Sequence, residues 1–142
     1  MEHLDRPDEA VWDERRLWFE EREAVHARAG ALAPSEQACA LMIDLQAVFC
    51  AGAWSAAVIL AAAIVDCQAR AAGTRDGDVP RGLDAETWRW LRGLRNRLVH
   101  EDRTGPALTI DDQWQHRAEW ERRARRAVAA AFAALYPGAD AL

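Results

Sequence analysis

Between Asp8 and Arg28 the apolar residues Val11, Trp12, Trp18, Phe19 and Val25 recur at helical spacing, and Asp, Glu and Arg fill most other positions. This pattern predicts an amphipathic first helix. Gly30 and Pro34 break it. Ser35 is placed to cap a second helix, which Leu41, Met42, Leu45, Val48 and Phe49 carry to about Ala51. A third, nearly all-apolar helix follows from about Ala53 to Ala72. The segment GTRDGDVPRG, Gly73 to Gly82, has the composition of a loop, and a fourth helix starts near Asp84 and ends near His100. After a break from Arg103 to Leu108, Thr109 can cap a last helix together with Asp112. That helix passes Trp114, Trp120, Val128 and Phe132 to Leu135, where Pro137 and Gly138 stop it. No segment reads as a strand. The pattern predicts an all-α chain folded as a single bundle of about five helices, without repeats or a dividing linker.

The length of 142 residues fits this picture, being enough for one core and too short for two. Val48 to Val65 is uncharged over nearly the length of a membrane span, but its alanines make it weakly hydrophobic, Gly52 splits it into the end of one helix and the start of the next, and the closing Asp66 suits the central helix of a soluble bundle. The N-terminal MEHLDRPDEAVWDERR is charged throughout, so neither a secretory signal nor an N-terminal anchor is expected. The expected location is cytoplasmic, with no membrane partner. Cys39, Cys50 and Cys67 are odd in number, far apart and set in alanine-rich runs, and are expected to be buried free thiols.

Charge narrows the chemistry further. The 18 basic residues are all arginine, against 23 acidic residues and a formal net charge of -5. Without lysine there is no lysine nucleophile, no Schiff base and no P-loop. An acidic total argues against broad coating of nucleic acid but permits a local basic site.

One such site lies in TWRWLRGLRNRLVHEDRTG, Thr87 to Gly105. At about 100 degrees per residue, Trp88, Leu91, Leu94, Leu98 and Val99 share a broad apolar face with Trp90 at its edge. Arg89, Gly93, Asn96 and His100, at i, i+4, i+7 and i+11, form a polar stripe opposite. Arg92 and Arg97 flank the stripe, while Arg95 falls inside the apolar arc. Gly93 has no side chain, so a second helix or a phosphate backbone can come close. The candidate catalytic residues are Arg95 to hold an oxyanion, His100 to exchange a proton near neutral pH, and Asn96 to orient the site. Arg89, Arg92 and Arg97 are candidates for substrate binding. Arg95 and His100 are about 140 degrees apart on a straight helix. Either the helix end distorts, or Arg95 reaches round the edge, or a second copy of the chain completes the site.

The hexapeptide RNRLVH, Arg95 to His100, resembles the signature of the HEPN domain: Arg, a polar residue that is often Asn, and His after four to six intervening positions. The apolar hairpin Leu41 to Arg70 before the motif helix and the loop and long helix after it extend the resemblance over about residues 35–136. Residues 1–30 then look like an addition. The resemblance implies a homodimer whose motif helices face each other across a composite cleft holding two copies of Arg95 and His100. Active members are metal-independent endoribonucleases, commonly toxins or defence effectors, so RNA is the implied substrate, with no cofactor. An antitoxin or a nucleotidyltransferase-like protein is the implied partner. By position, Arg95 stabilises charge on the scissile phosphate, His100 transfers a proton around 2′-hydroxyl attack, and Asn96 orients the site. Other HEPN domains have lost catalysis and bind a protein or nucleotide, which is the alternative reading. An unrelated helical dimerisation module is a third.

The remaining candidates have weaker claims. Arg117, Arg122, Arg123, Arg125 and Arg126 could line a cleft, or form a solvated face beside Glu119 and Glu121. Asp66 could hold Arg95 or Arg92 ready, or end at the surface, and Asp44 raises the same question. His26 and His116 are expected at the surface, without a metal site. Trp90 is the candidate for base stacking.

Overall fold

A computed structural model describes residues 3–28 and 34–138, and within them the chain is all-helical. The helices are α1 (Glu9–Ala27), α2 (Glu36–Ala51), α3 (Trp54–Ala71), α4 (Ala85–Val99), α5 (Ile110–Gln115) and α6 (Arg117–Leu135). The predicted break at Gly30 lies outside the described residues, whereas the other predicted boundaries fall close to the observed ones. Among the described residues there is no strand, only an isolated bridge between Asp102 and Gly105.

The helix α3 is central, packing most extensively on α6 and α2, with α4 laid against its remaining side. Alanine explains the closeness of α3 and α6: Ala57 and Ala61 on one and Ala124, Ala127 and Ala131 on the other are all fully buried. Side chains this small let two backbones approach and leave little void to fill. At the α1 side the packing is aromatic. Phe49 of α2 meets Trp18 at 5.0 Å, Phe19 at 6.0 Å and Trp54 at 5.4 Å, and Phe19 meets Phe132 edge-on at 5.0 Å. The first helix, which the resemblance leaves outside the shared core, thus supplies the buried Phe19 and packs on α2 and α6.

Sequence also dictates where the helices turn. Ser35 accepts from the Ala38 N–H at 3.3 Å as the cap of α2, and its own N–H donates to the buried Gln68 side chain at 2.8 Å, tying the start of α2 to the end of α3. At the other end of α2, Gly52 takes φ 80°, a left-handed conformation that glycine adopts without strain. Its N–H donates to Phe49 O at 3.0 Å and the Ala53 N–H to Val48 O at 2.9 Å, so the chain reverses straight into α3. Arg15 donates to Cys50 O at 3.1 Å and Arg117 to Gly52 O, placing two guanidiniums at the negative end of α2, both also over the Trp54 ring. Burial, together with the charge of Arg15, pushes the Arg117 guanidinium below its ordinary value.

Two expectations change. The last helix is broken at His116: Thr109 and Asp112 form a reciprocal capping box at the start of α5, and the His116 ring bonds Asp112 at 2.7 Å where α5 ends. Cys39 is exposed and Cys67 half-buried, so only Cys50 is the buried thiol expected, and its burial pushes the thiol up. By length and composition α3 could cross a membrane. It is also the helix that α2, α4 and α6 enclose.

Candidate functional site

The motif helix α4 is fixed at its start by Asp84, whose carboxylate accepts from the Thr87 N–H at 2.7 Å and from its hydroxyl at 2.9 Å. These bonds hold the Asp84 carboxyl below the usual carboxylate range. Leu91 and Leu94 are buried against the bundle. Trp88 and Trp90 sit half-buried at the two edges, each covered by a guanidinium: Arg92 lies 5.2 Å from the Trp88 ring and Arg126 of α6 lies 4.1 Å from that of Trp90. Arg126 therefore occupies a face of the tryptophan considered for base stacking. The stripe Arg89, Gly93, Asn96 and His100 is exposed along its whole length, and a Cβ on Gly93 would meet nothing within 4 Å.

The helix ends at His100, which has extended backbone (φ -131°, ψ 101°) and donates its N–H to Asn96 O at 2.9 Å. The imidazole is exposed and makes no hydrogen bond or ion pair among the described residues. Arg95, half-buried, turns the other way and donates from Nη1 to Asn96 Oδ1 at 2.9 Å. Arg92, Arg95 and Asn96 line a groove of about 380 Å³ between α4, the last turns of α3 and the loop that follows it. Arg89, Arg97 and His100 lie outside this groove. One chain thus brings together three of the six candidate residues and leaves His100 on a different side, as the angular spacing requires.

The opposite wall was not legible as a site. Asp66 lines the groove as an exposed residue without an ion pair to Arg92 or Arg95, in accord with the surface reading. Beside it stand Arg70 and the loop residues Asp76 and Asp78, with Arg70 and Asp76 3.8 Å apart. Only the loop composition of GTRDGDVPRG pointed to this segment, and composition does not say which helix a loop folds against.

The arginines of the last helix are mostly used in packing. Arg123 bonds Glu119, Arg125 bonds Glu121 at 3.2 Å and lies over Trp18 at 4.6 Å, and Arg117 holds Gln113 and Gly52. Arg122 alone of the five has none of these contacts among the described residues. Asp44 is exposed. His26 is half-buried against Phe132 at 5.9 Å rather than free at the surface, and His116 serves the α5–α6 junction. No cluster of three metal-ligating side chains occurs among the described residues. Compared with protein-family models, with curated proteins and with solved structures, the chain gives no match in any of the three.

Proposed function

We propose that the chain is a metal-independent endoribonuclease of the HEPN type that works as a homodimer, with Arg95, Asn96 and His100 as its catalytic residues. The observation that carries the reading is α4 itself: an uninterrupted exposed stripe that passes the open Gly93 and ends on an unpaired imidazole, with Arg95 bonded to Asn96 beside it. Two such helices crossing at Gly93 would face each other closely and put both stripes, with both copies of His100, into one composite cleft, which Arg95 would enter by reaching round the edge of its helix. The imidazole then takes the proton of a ribose 2′-hydroxyl as its oxygen attacks the adjacent phosphorus. Arg95 holds the developing charge on the phosphate oxygens, and the second His100 protonates the leaving 5′-oxygen, giving a 2′,3′-cyclic phosphate and a free 5′-hydroxyl. Arg89 within the stripe and Arg97 beside it, both exposed, supply contacts to neighbouring phosphates despite the overall charge of -5. An antitoxin or nucleotidyltransferase-like protein fits as the partner of such an enzyme.

The test is RNA cleavage by the purified protein in excess chelator, beside His100→Ala and Arg95→Ala, with light scattering on each. Cleavage lost in both variants and a dimer in solution are expected. Equal behaviour of wild type and His100→Ala on RNA, or a monomer at working concentration, overturns the reading.

A further inference from the structure

The groove between α3 and α4 has a charge distribution that cleavage of an RNA chain does not need. Its α4 wall carries only arginine charge, Arg92 and Arg95, with Asn96 as the neutral member. Its carboxylates, Asp66, Asp76 and Asp78, stand on α3 and the following loop, where Arg70 and Arg75 also line it. Asp76 has a partner in Arg70 at 3.8 Å, but among the described residues Arg92 and Arg95 have no carboxylate, and Asp66 and Asp78 no guanidinium, within ion-pair distance. Unpaired charges of both signs therefore share one cavity of about 380 Å³, near the lower end of the range for small-molecule sites.

A continuous phosphodiester chain suits this cavity poorly. Its flanking phosphates would meet the carboxylates, and like charges brought together this closely are unfavourable. A small dipolar ligand suits it well. One phosphate can take bidentate bonds from the Arg92 and Arg95 guanidiniums, whose forks match its geometry. Hydroxyl groups a few atoms away can donate to Asp66, as a ribose diol does to a carboxylate in nucleotide-binding folds. Stacking against Trp88 limits the freedom of Arg92, and the bond to Asn96 that of Arg95, so less side-chain entropy is lost on binding. The geometry points to a binding site for a phosphorylated sugar in this groove, with the phosphate on Arg92 and Arg95 and the sugar hydroxyls on Asp66. A free sugar phosphate and a mononucleotide share this chemistry, and the titration below separates them. The site shares Arg95 with the proposed cleavage centre but not His100, so the two readings stand or fall separately.

Calorimetric titration of the full chain with ribose 5-phosphate, inorganic phosphate, ribose and adenosine 5′-monophosphate tests the inference. Ribose 5-phosphate is expected to bind at least about tenfold more tightly than inorganic phosphate or ribose, since it alone engages both walls. Arg95→Ala should weaken it about tenfold, Asp66→Asn should erase its advantage over inorganic phosphate, and His100→Ala should leave it unchanged while removing RNA cleavage. Both Asp66 and Arg95 reach solvent, so their variants are expected to keep the circular dichroism of the parent. Adenosine monophosphate binding as well as the sugar phosphate, or better, identifies the mononucleotide as the source. No saturable binding of either ligand, or a preference for ribose 5-phosphate that survives Asp66→Asn, overturns the site.

Discussion

Replacing Gly93 by alanine separates what α4 gains as a helix from what it loses as a face. In the single chain the added methyl meets nothing within 4 Å, and alanine in a helix interior is about 0.8–1.0 kcal/mol more favourable than glycine. For 142 residues that raises the melting temperature by about 3 °C. Between two α4 helices crossing at this position the same methyl stands where the backbones meet. Overpacking costs about 1–3 kcal/mol per site, and a two-fold interface carries the site twice, so the proposed dimer would weaken by about 2–6 kcal/mol, or roughly 30-fold or more. The assay is thermal unfolding in dilute solution, with light scattering and chelator-resistant RNA cleavage followed over a concentration series. The expected variant melts higher when dilute, self-associates less and cleaves less at equal concentration. A loss of stability in dilute solution refutes the open space at Gly93. A variant that gains stability yet self-associates and cleaves like wild type refutes the close approach of two α4 helices.

Gly77→Ala and Gly82→Ala form a matched pair, since both glycines have positive φ (90° and 85°) but differ in surroundings. A Cβ on Gly77 meets nothing within 4 Å and should cost only backbone strain, about 1 kcal/mol, whereas one on Gly82 would lie 2.0 Å from Ala133 O and should cost about 3 kcal/mol or more in urea unfolding. Equal costs would mean the loop does not rest on α6. Asp84 and Asp112 are both held below the usual carboxylate range, chiefly by backbone N–H bonds from Thr87 and Thr109. Their stabilising effect is present above the unfolded value near pH 4 and is lost as pH falls through the lower folded values, so the first turns of α4 and α5 should open in acid, visible as faster amide exchange at Thr87 and Thr109. An alkylating reagent applied to the native chain should label Cys39 first, Cys67 more slowly and Cys50 only on unfolding; early modification of Cys50, read by mass spectrometry, contradicts its burial.

The parts legible in the sequence are those decided within a few residues. The Ser35 cap, the Thr109–Asp112 box and the buried Leu91 and Leu94 of the α4 arc are local patterns that fall where expected, whereas Val99 at the end of that arc is exposed. What escaped depends on partners far along the chain. The break at His116 is local in its Asp112 bond, but the helix restarts with Arg117 drawn to Gly52, 65 residues away. The arginines of α6 look like a solvated strip until Trp18 and Trp90 arrive from other helices to cover two of them. For the candidate site, helix geometry correctly separates Arg95 from His100, since both lie on one element. It has no access to Asp76 and Asp78, because a loop without periodicity does not encode which face it lies against.

The reversal at Gly52 also bears on the order in which the chain folds. Only Gly52 and Ala53 separate α2 from α3, so bringing these two helices together closes almost no loop, and the entropy of loop closure grows with length. The broad alanine seam between α3 and α6 joins segments held apart by the whole of α4 and α5, and it forms only after that longer loop has closed. The α2–α3 hairpin is thus the natural nucleus, and α6 is the late arrival that seals it. Substitutions at the Gly52 turn should slow folding, while those in α6, such as Phe132→Ala, should mainly speed unfolding.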